Sequence, residues 1–522
     1  MRAVLTPDRL CCLHPSSTRN QLRSMLIPLL ITLLCISTPN PINPPSEPLT
    51  PPPADIEVAK LRKDFAALPR SNEPEVDWAT PARILRERAR SFTDRFPNDP
   101  RGLEMEATLS IGLQDGIGVD DAFGHLLKLA PQKTTAGLTW TDYWMSRDPA
   151  HAFEVLEKLV RQRPDALLYL DRLFRILAVE DPQRIVERFN RLGGPDGDIE
   201  QCQRELDILA RVAGDIAGAI GERLRIDHPN NLDIAIATAR GHRHANHFSV
   251  ARRLLDSIPE ELMTDPAHLY LWSDTHYADH HFERARELIE SIDMEALKTA
   301  GRPGLFRRLG FMIPLRRTAA EMWPAEQQRR LKDARRNNNP LALLTINGRE
   351  VVMELFEDDA PNSVAAFIAA ADLGLYDGHE AGQVHQGFRT IFGDRHESDG
   401  YPLWSLPKEE YQRQPRLVLA GNLMGYSDSK PGSADTRFYI LQFPAPHLNE
   451  RAITYGRVVT GLDVIREMVQ GDVLESVKII RRRKHDYDPD VFDADMTPMK
   501  LCEVLAATSS LQNNGERTPE SR

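Results

Sequence analysis

Imidazole is the most versatile side chain near neutral pH, and this sequence gathers six histidines into two groups: His242, His244 and His247, then His276, His280 and His281. His276 and His280 stand four apart, a spacing that on one helix would turn two rings the same way and could hold a metal ion. The run His276-Tyr277-Ala278-Asp279-His280 lacks the glutamate that works as general base in the H-E-x-x-H pattern. Neither a metal nor another cofactor is therefore expected. Cysteine adds nothing catalytic. Cys11, Cys12 and Cys35 lie in or before an apolar leader, while Cys202 and Cys502 are far apart with no C-x-x-C spacing, so ordinary thiols are expected rather than disulfides or zinc. No P-loop, dinucleotide fingerprint or G-x-S-x-G element occurs.

With those chemistries set aside, the elements of the chain carry more information. Its 522 residues are too many for one core and suggest two or three domains. A hydrophobic content of 41% and a charged content of 27% suit folded soluble protein. Net charge of −11 and a pI near 5.9 argue against nucleic acid as partner, because a phosphate-binding surface is normally basic. The run Arg481, Arg482, Arg483, Lys484 is the exception and reads as a solvated strand end or domain border.

The apolar segment Met25 to Ser37 follows Arg2, Arg9, Arg19 and Arg23, with Asp8 as the single acid before it. A basic region, an apolar stretch of about 13 residues and a short polar exit are the parts of a secretory signal, and the stretch is short of the roughly 20 residues a membrane span needs. Residues 1–37 are read as a signal peptide or an uncleaved N-terminal anchor, with Met25 as an alternative start, and the protein as exported, periplasmic or in the cell envelope. Membrane contact is expected only through this segment. Residues 38–54 follow as a linker. About half of Pro39 to Pro53 is proline, so an extended spacer is expected there.

From residue 55 to 336 apolar residues recur at three and four spacing, broken by Pro, Gly or Asn, which predicts helices throughout. Phe248, Ala251, Leu255 and Ile258 reappear 34 residues on as Phe282, Ala285, Ile289 and Ile292, and Ala239 reappears as Ser273. Small residues at a crossing let helices approach closely, and the aromatic fills the groove beside them. The period resembles that of the tetratricopeptide repeat, which implies an α-solenoid whose groove could receive a protein partner; a non-repeating helical domain is the alternative. Prolines such as Pro164, Pro182, Pro229 and Pro266 read as breaks after helices.

Near residue 340 the pattern changes to strands. Leu341 to Ile346 alternates, Asn347-Gly348 is a hairpin signal, Val351 to Leu355 returns, and Pro361 opens a helix that Gly374 stops. A compact β-rich domain over residues 340–485 is expected, then a polar tail over 486–522 that frays except for a short helix within Met499 to Ala507.

Val351 to Gly378, Gly387 to Asp394, Pro431 to Ile440, Pro444 to Glu450 and Tyr455 to Ile465 resemble, in order and spacing, the motifs of the cyclophilin-type prolyl isomerases. The resemblance implies a closed eight-stranded antiparallel barrel with two capping helices, the second over Gly461 to Val469. It also implies that a proline ring sits in an apolar pocket while an arginine stabilises the twisted amide. Rotation about an X-Pro bond faces a barrier of roughly 18–20 kcal/mol, and the family lowers it by preorganised binding and electrostatics alone.

Carried over residue by residue, the pocket floor survives as Phe388 and Tyr439, the pocket leucine as Leu448, and His447 fills a position that is Trp or His in the family. Asn422 matches an asparagine whose backbone holds substrate. The polar clamp is rewritten: Gln383 stands at the catalytic arginine position, Arg389 replaces a pocket methionine, Ile391 and Arg437 replace glutamines, and Ala452 replaces a histidine at the rim. Arg389 and Arg437 either face solvent or pair with Asp394 or Asp435, or else bring a guanidinium into the groove. Weak isomerisation of proline-containing clients is expected, with a catalytically inactive peptide- or protein-binding module as the alternative.

Overall fold

A computed structural model of the chain describes residues 52–69, 77–393, 404–407, 416–426, 437–449, 453–492 and 497–504. The leader and nearly all of the linker lie outside these. The chain divides into two compact units, residues 1–173 and 174–522.

The described part of the first unit is helical, from Pro53–Ala66 to Pro149–Gln162. Asp-Pro pairs start several helices of the chain, with aspartate as the cap and proline in the first turn, where its missing N–H is not needed. Asp99 accepts from the Arg101 N–H, Asp148 from the His151 N–H and Asp265 from the Ala267 N–H. Pro182 and Pro266 thus also open the next helices, besides following earlier ones as the sequence suggested.

In the second unit the helices Leu232–His244 and Phe248–Asp256 are followed by Pro266–Ala278 and Phe282–Glu290, so each boundary recurs after 34 residues. Ala239 and Ser273 are fully buried at the matching positions, and the Ser273 hydroxyl donates to the Ala285 carbonyl at 2.6 Å. The histidine pair does not share a helix. Pro266–Ala278 ends before His280, which has a left-handed φ of 63°, while the ring Nε2 of His276 lies 2.9 Å from Asp256 Oδ1. Among the described residues no group of three or more His, Cys, Asp or Glu is placed to hold a metal.

A long helix, Pro303–Arg336, ends at Asn337, whose φ of 45° turns the chain into the strand-rich part. There β1 (Leu341–Ile346) and β2 (Arg349–Leu355) form the hairpin, with Asn347 and Gly348 both at positive φ, the backbone that an Asn-Gly turn favours. The remaining strands are β3 (His379–Glu380), β4 (Gln383–His385), β5 (Arg389–Phe392), β6 (Asn422–Gly425), β7 (Phe438–Leu441), β8 (Thr454–Thr460) and β9 (Val473–Arg481). They make one sheet in the order β3-β9-β1-β2-β8-β6-β7-β5-β4. Its edge strands β3 and β4 are joined by Ala381-Gly382, whose N–H groups donate to the Asp472 and Ile391 carbonyls. The described residues therefore give a curled nine-stranded sheet where a closed eight-stranded barrel was expected, the difference lying in these two very short strands. The helices Pro361–Asp372 and Leu462–Glu467 cover its core through Phe367, Ile368, Val464 and Ile465.

The segment after Asp486 is held in place as far as it is described. Asp490–Phe492 pairs with Pro498–Lys500, and the Tyr487 hydroxyl donates to Glu357 at 3.0 Å. The expected short helix covers residues 501–504, while Met499 belongs to a strand. The arginine run ends β9 and is paired: Arg482 with Asp372, Arg483 with Asp358.

Candidate functional site

Alternation along the strands sends every second side chain to the face away from the main core. In β5, Phe392 enters the core while Ile391 faces outward; in β7, Phe438 and Ile440 enter it and Tyr439 faces outward. Register then aligns the outward residues across four strands: Gln383 is opposite Ile391, Ile391 opposite Tyr439, and Tyr439 opposite Met424. A second apolar cluster forms on this face from Ile391, Met424, Tyr439, Leu441, Val418 and Ala445, with Phe388, Tyr426 and Leu448 packed against it.

Phe388 is presented by a turn in which its N–H donates to the His385 carbonyl at 2.9 Å and Gly387 takes a φ of 71°. Gln442 fixes that turn, accepting from the Gly387 N–H at 2.8 Å while its own amide donates to Thr390 Oγ1 at 3.0 Å. The helical region reaches the same place. Asn246, between two helices and at a φ of 62°, donates from Nδ2 to Gln386 Oε1 at 2.8 Å and the Arg466 carbonyl at 2.8 Å, with Gln442 Oε1 at 3.3 Å. The variant Asn246→Gly keeps the left-handed backbone open but strips these acceptors of their donor, so unfolding in urea is expected to become easier by about 1–3 kcal/mol. An unchanged midpoint would show that the turn does not depend on this contact.

Arg389 leans over the cluster. Its guanidinium carbon is 5.3 Å from the centre of the Phe388 ring and 5.2 Å from those of Tyr426 and Tyr439, within the distance at which a cation is drawn to an aromatic face. Its Nε is buried and has no hydrogen-bond partner among the described residues. Arg437 reaches the rim, 4.6 Å from the Tyr426 ring; Asp394 and Asp435 lie outside the described residues. His447, in the short turn Pro446–Leu448, stacks on Phe388 at 6.3 Å and 21°.

Phe388, Arg389, Ile391, Tyr439, His447 and Leu448 thus lie together on this face. Gln383 shares their face but is exposed at the sheet edge, with Oε1 3.1 Å from His385 Nε2. The Asn422 side chain is buried, accepting from the Leu419 N–H at 2.5 Å, and so shapes the chain beside the cluster. Ala452 lies outside the described residues. Met424 and Tyr426 were missed, although the alternation Asn422, Met424, Tyr426 was a signal that could have found them.

The family described as cyclophilin-type peptidyl-prolyl cis-trans isomerase matches residues 341–484. Peptidyl-prolyl cis-trans isomerase B of Bacillus subtilis is 33% identical over 135 residues, 26% of this chain and 92% of its own. The peptidyl-prolyl cis-trans isomerase of Synechococcus elongatus is 33% identical over 143 residues, 27% of this chain and 95% of its own. A Cryptosporidium parvum cyclophilin-type isomerase, crystallised in the presence of the dipeptide Ala-Pro, aligns at 19% identity with a TM-score of 0.24, over 27% of this chain and 98% of that one.

Proposed function

The chain belongs, through residues 341–484, to the cyclophilin-type peptidyl-prolyl cis-trans isomerase family, and from that membership we propose that this domain seats X-Pro segments of client chains and isomerises them weakly. Arg389 supplies the cation that position 383 lacks. The observation that carries the reading is its guanidinium, 5.2–5.3 Å from three rings at the expected proline seat. A guanidinium beside the seat can stabilise the twisted amide as charge changes on the prolyl nitrogen, without any cofactor.

The same distances favour a second reading, in which Arg389 occupies the seat and the domain only captures peptide. One experiment separates the two. In magnetisation-exchange measurements on an Ala-Pro peptide, Arg389→Ala is expected to lower the catalysed rate about tenfold, as loss of roughly 1.4 kcal/mol of charge-assisted bonding implies. Equal background rates in wild type and variant, with tighter peptide binding by the variant, would leave the binder.

Upstream, the Met25 to Ser37 segment and the proline-rich spacer support an exported protein whose folded parts stand clear of an envelope surface. The 34-residue recurrence of helix boundaries supports tetratricopeptide-like repeats in residues 55–336 as a scaffold for a protein partner.

A further inference from the structure

Resting on that reading, we infer that the proline groove continues onto the helical region, where Phe311 forms a subsite for an aromatic client residue three or four positions from the proline. Phe311 lies on the long helix Pro303–Arg336, outside the matched residues 341–484. Its ring centre is 6.2 Å from that of His447, which itself stacks on Phe388 at 6.3 Å. Three aromatic groups from three elements therefore form one continuous run of ring contacts from Phe388 through His447 to Phe311.

An isolated exposed apolar residue would need no explanation; continuity with the seat is what sets this one apart. Phe311 is 56% exposed, whereas Leu309 on the same helix is buried and Met312 and Ile313 pack into a helical cluster. The helix that carries it is fixed. Arg316 donates to Asp274 at 2.6 Å, and Asn449 Nδ2 lies 3.3 Å from Met322 Sδ, tying the helix to the strand-rich part. A client in extended form advances about 3.3 Å per residue, so two steps of a little over 6 Å span at most roughly three or four residues. An aromatic side chain arriving there finds a ring already held at the separation aromatic pairs prefer, about 4.5–7 Å.

The test uses the full chain and three peptides around one Ala-Pro core: one with Phe three residues before the proline, one with Phe three residues after it, and one with Ala at both places. Calorimetric affinities for wild type are expected to favour one Phe peptide about tenfold over the Ala peptide. In Phe311→Ala that preference disappears while the Ala peptide binds as before. A preference that survives in Phe311→Ala, or the lack of any preference in wild type that does bind the Ala peptide, overturns the subsite. Loss of self-association in the variant with unaltered peptide affinities would make Phe311 a contact between copies and overturn it too. If wild type binds none of the peptides, the proline seat itself falls, and the subsite with it.

Discussion

Replacing Asp274 by alanine is expected to destabilise the second unit by about 3–5 kcal/mol, the loss typical of a buried ion pair broken from one side. Asp274 is 1% exposed and accepts from two guanidiniums, Arg243 at 2.8 Å and Arg316 at 2.6 Å. Arg316 is 0% exposed. One carboxylate thereby joins the helices Leu232–His244, Pro266–Ala278 and Pro303–Arg336. Burial alone would raise its pKa, but Arg243 and Arg316 outweigh burial and hold the carboxyl below its ordinary 3.8. A carboxyl lowered in this way contributes stability above pH 3.8 that is lost as pH falls through the lowered value. The Asp274→Ala variant leaves the buried Arg316 and the half-buried Arg243 without a counter-charge, whereas Asp274→Asn keeps an acceptor and should fall between wild type and the alanine variant. Two compact units need not unfold together, so the later of any two transitions in guanidinium must be assigned before a free energy is taken from it. A loss below about 1 kcal/mol would mean that water or a shifted side chain takes over the arginines.

How much of this could be read without coordinates depends on the range of the interaction. The hairpin was legible because Asn347-Gly348 encodes it within two residues, and the helix boundaries at 34-residue intervals because small and aromatic residues repeat locally. The shared cluster of Phe388 and Tyr439 was legible through motif order. What stayed hidden depends on pairs distant in sequence. Nothing near Asn246 reveals that its amide meets Gln386, 140 positions away, and nothing near Phe311 reveals His447. His280 was misplaced because four-residue spacing implies one face only while the helix continues, and this helix stops at Ala278. Within the described part of the segment after Asp486, the polar composition gave no sign that Asp490–Phe492 would pair with Pro498–Lys500 or that Tyr487 would meet Glu357.

Restoring arginine at position 383 is the sharpest test of why the domain should be slow. Gln383 is directly opposite Ile391, which is directly opposite Tyr439, so with strands about 4.8 Å apart a longer cationic side chain at the edge could extend over one strand towards the seat. A neutral hydrogen bond contributes about 0.5–1.5 kcal/mol and a charge-assisted one about 1.5–3. If that difference of roughly 1–2 kcal/mol is expressed only in the twisted state, Gln383→Arg should raise the exchange rate of an Ala-Pro peptide about tenfold, and up to about 30-fold. Gln383→Arg combined with Arg389→Met, which leaves the new arginine as the cation beside the seat, should lose up to the tenfold that Arg389 contributes and fall below the single variant. The effect belongs in kcat: a cation that binds ground and twisted states equally would change KM alone. If Gln383→Arg binds the Ala-Pro peptide and does not exceed the wild-type rate, a cation at position 383 is not what limits turnover, and the seat formed by Phe388, Ile391 and Tyr439 must itself be the wrong shape for a turning proline.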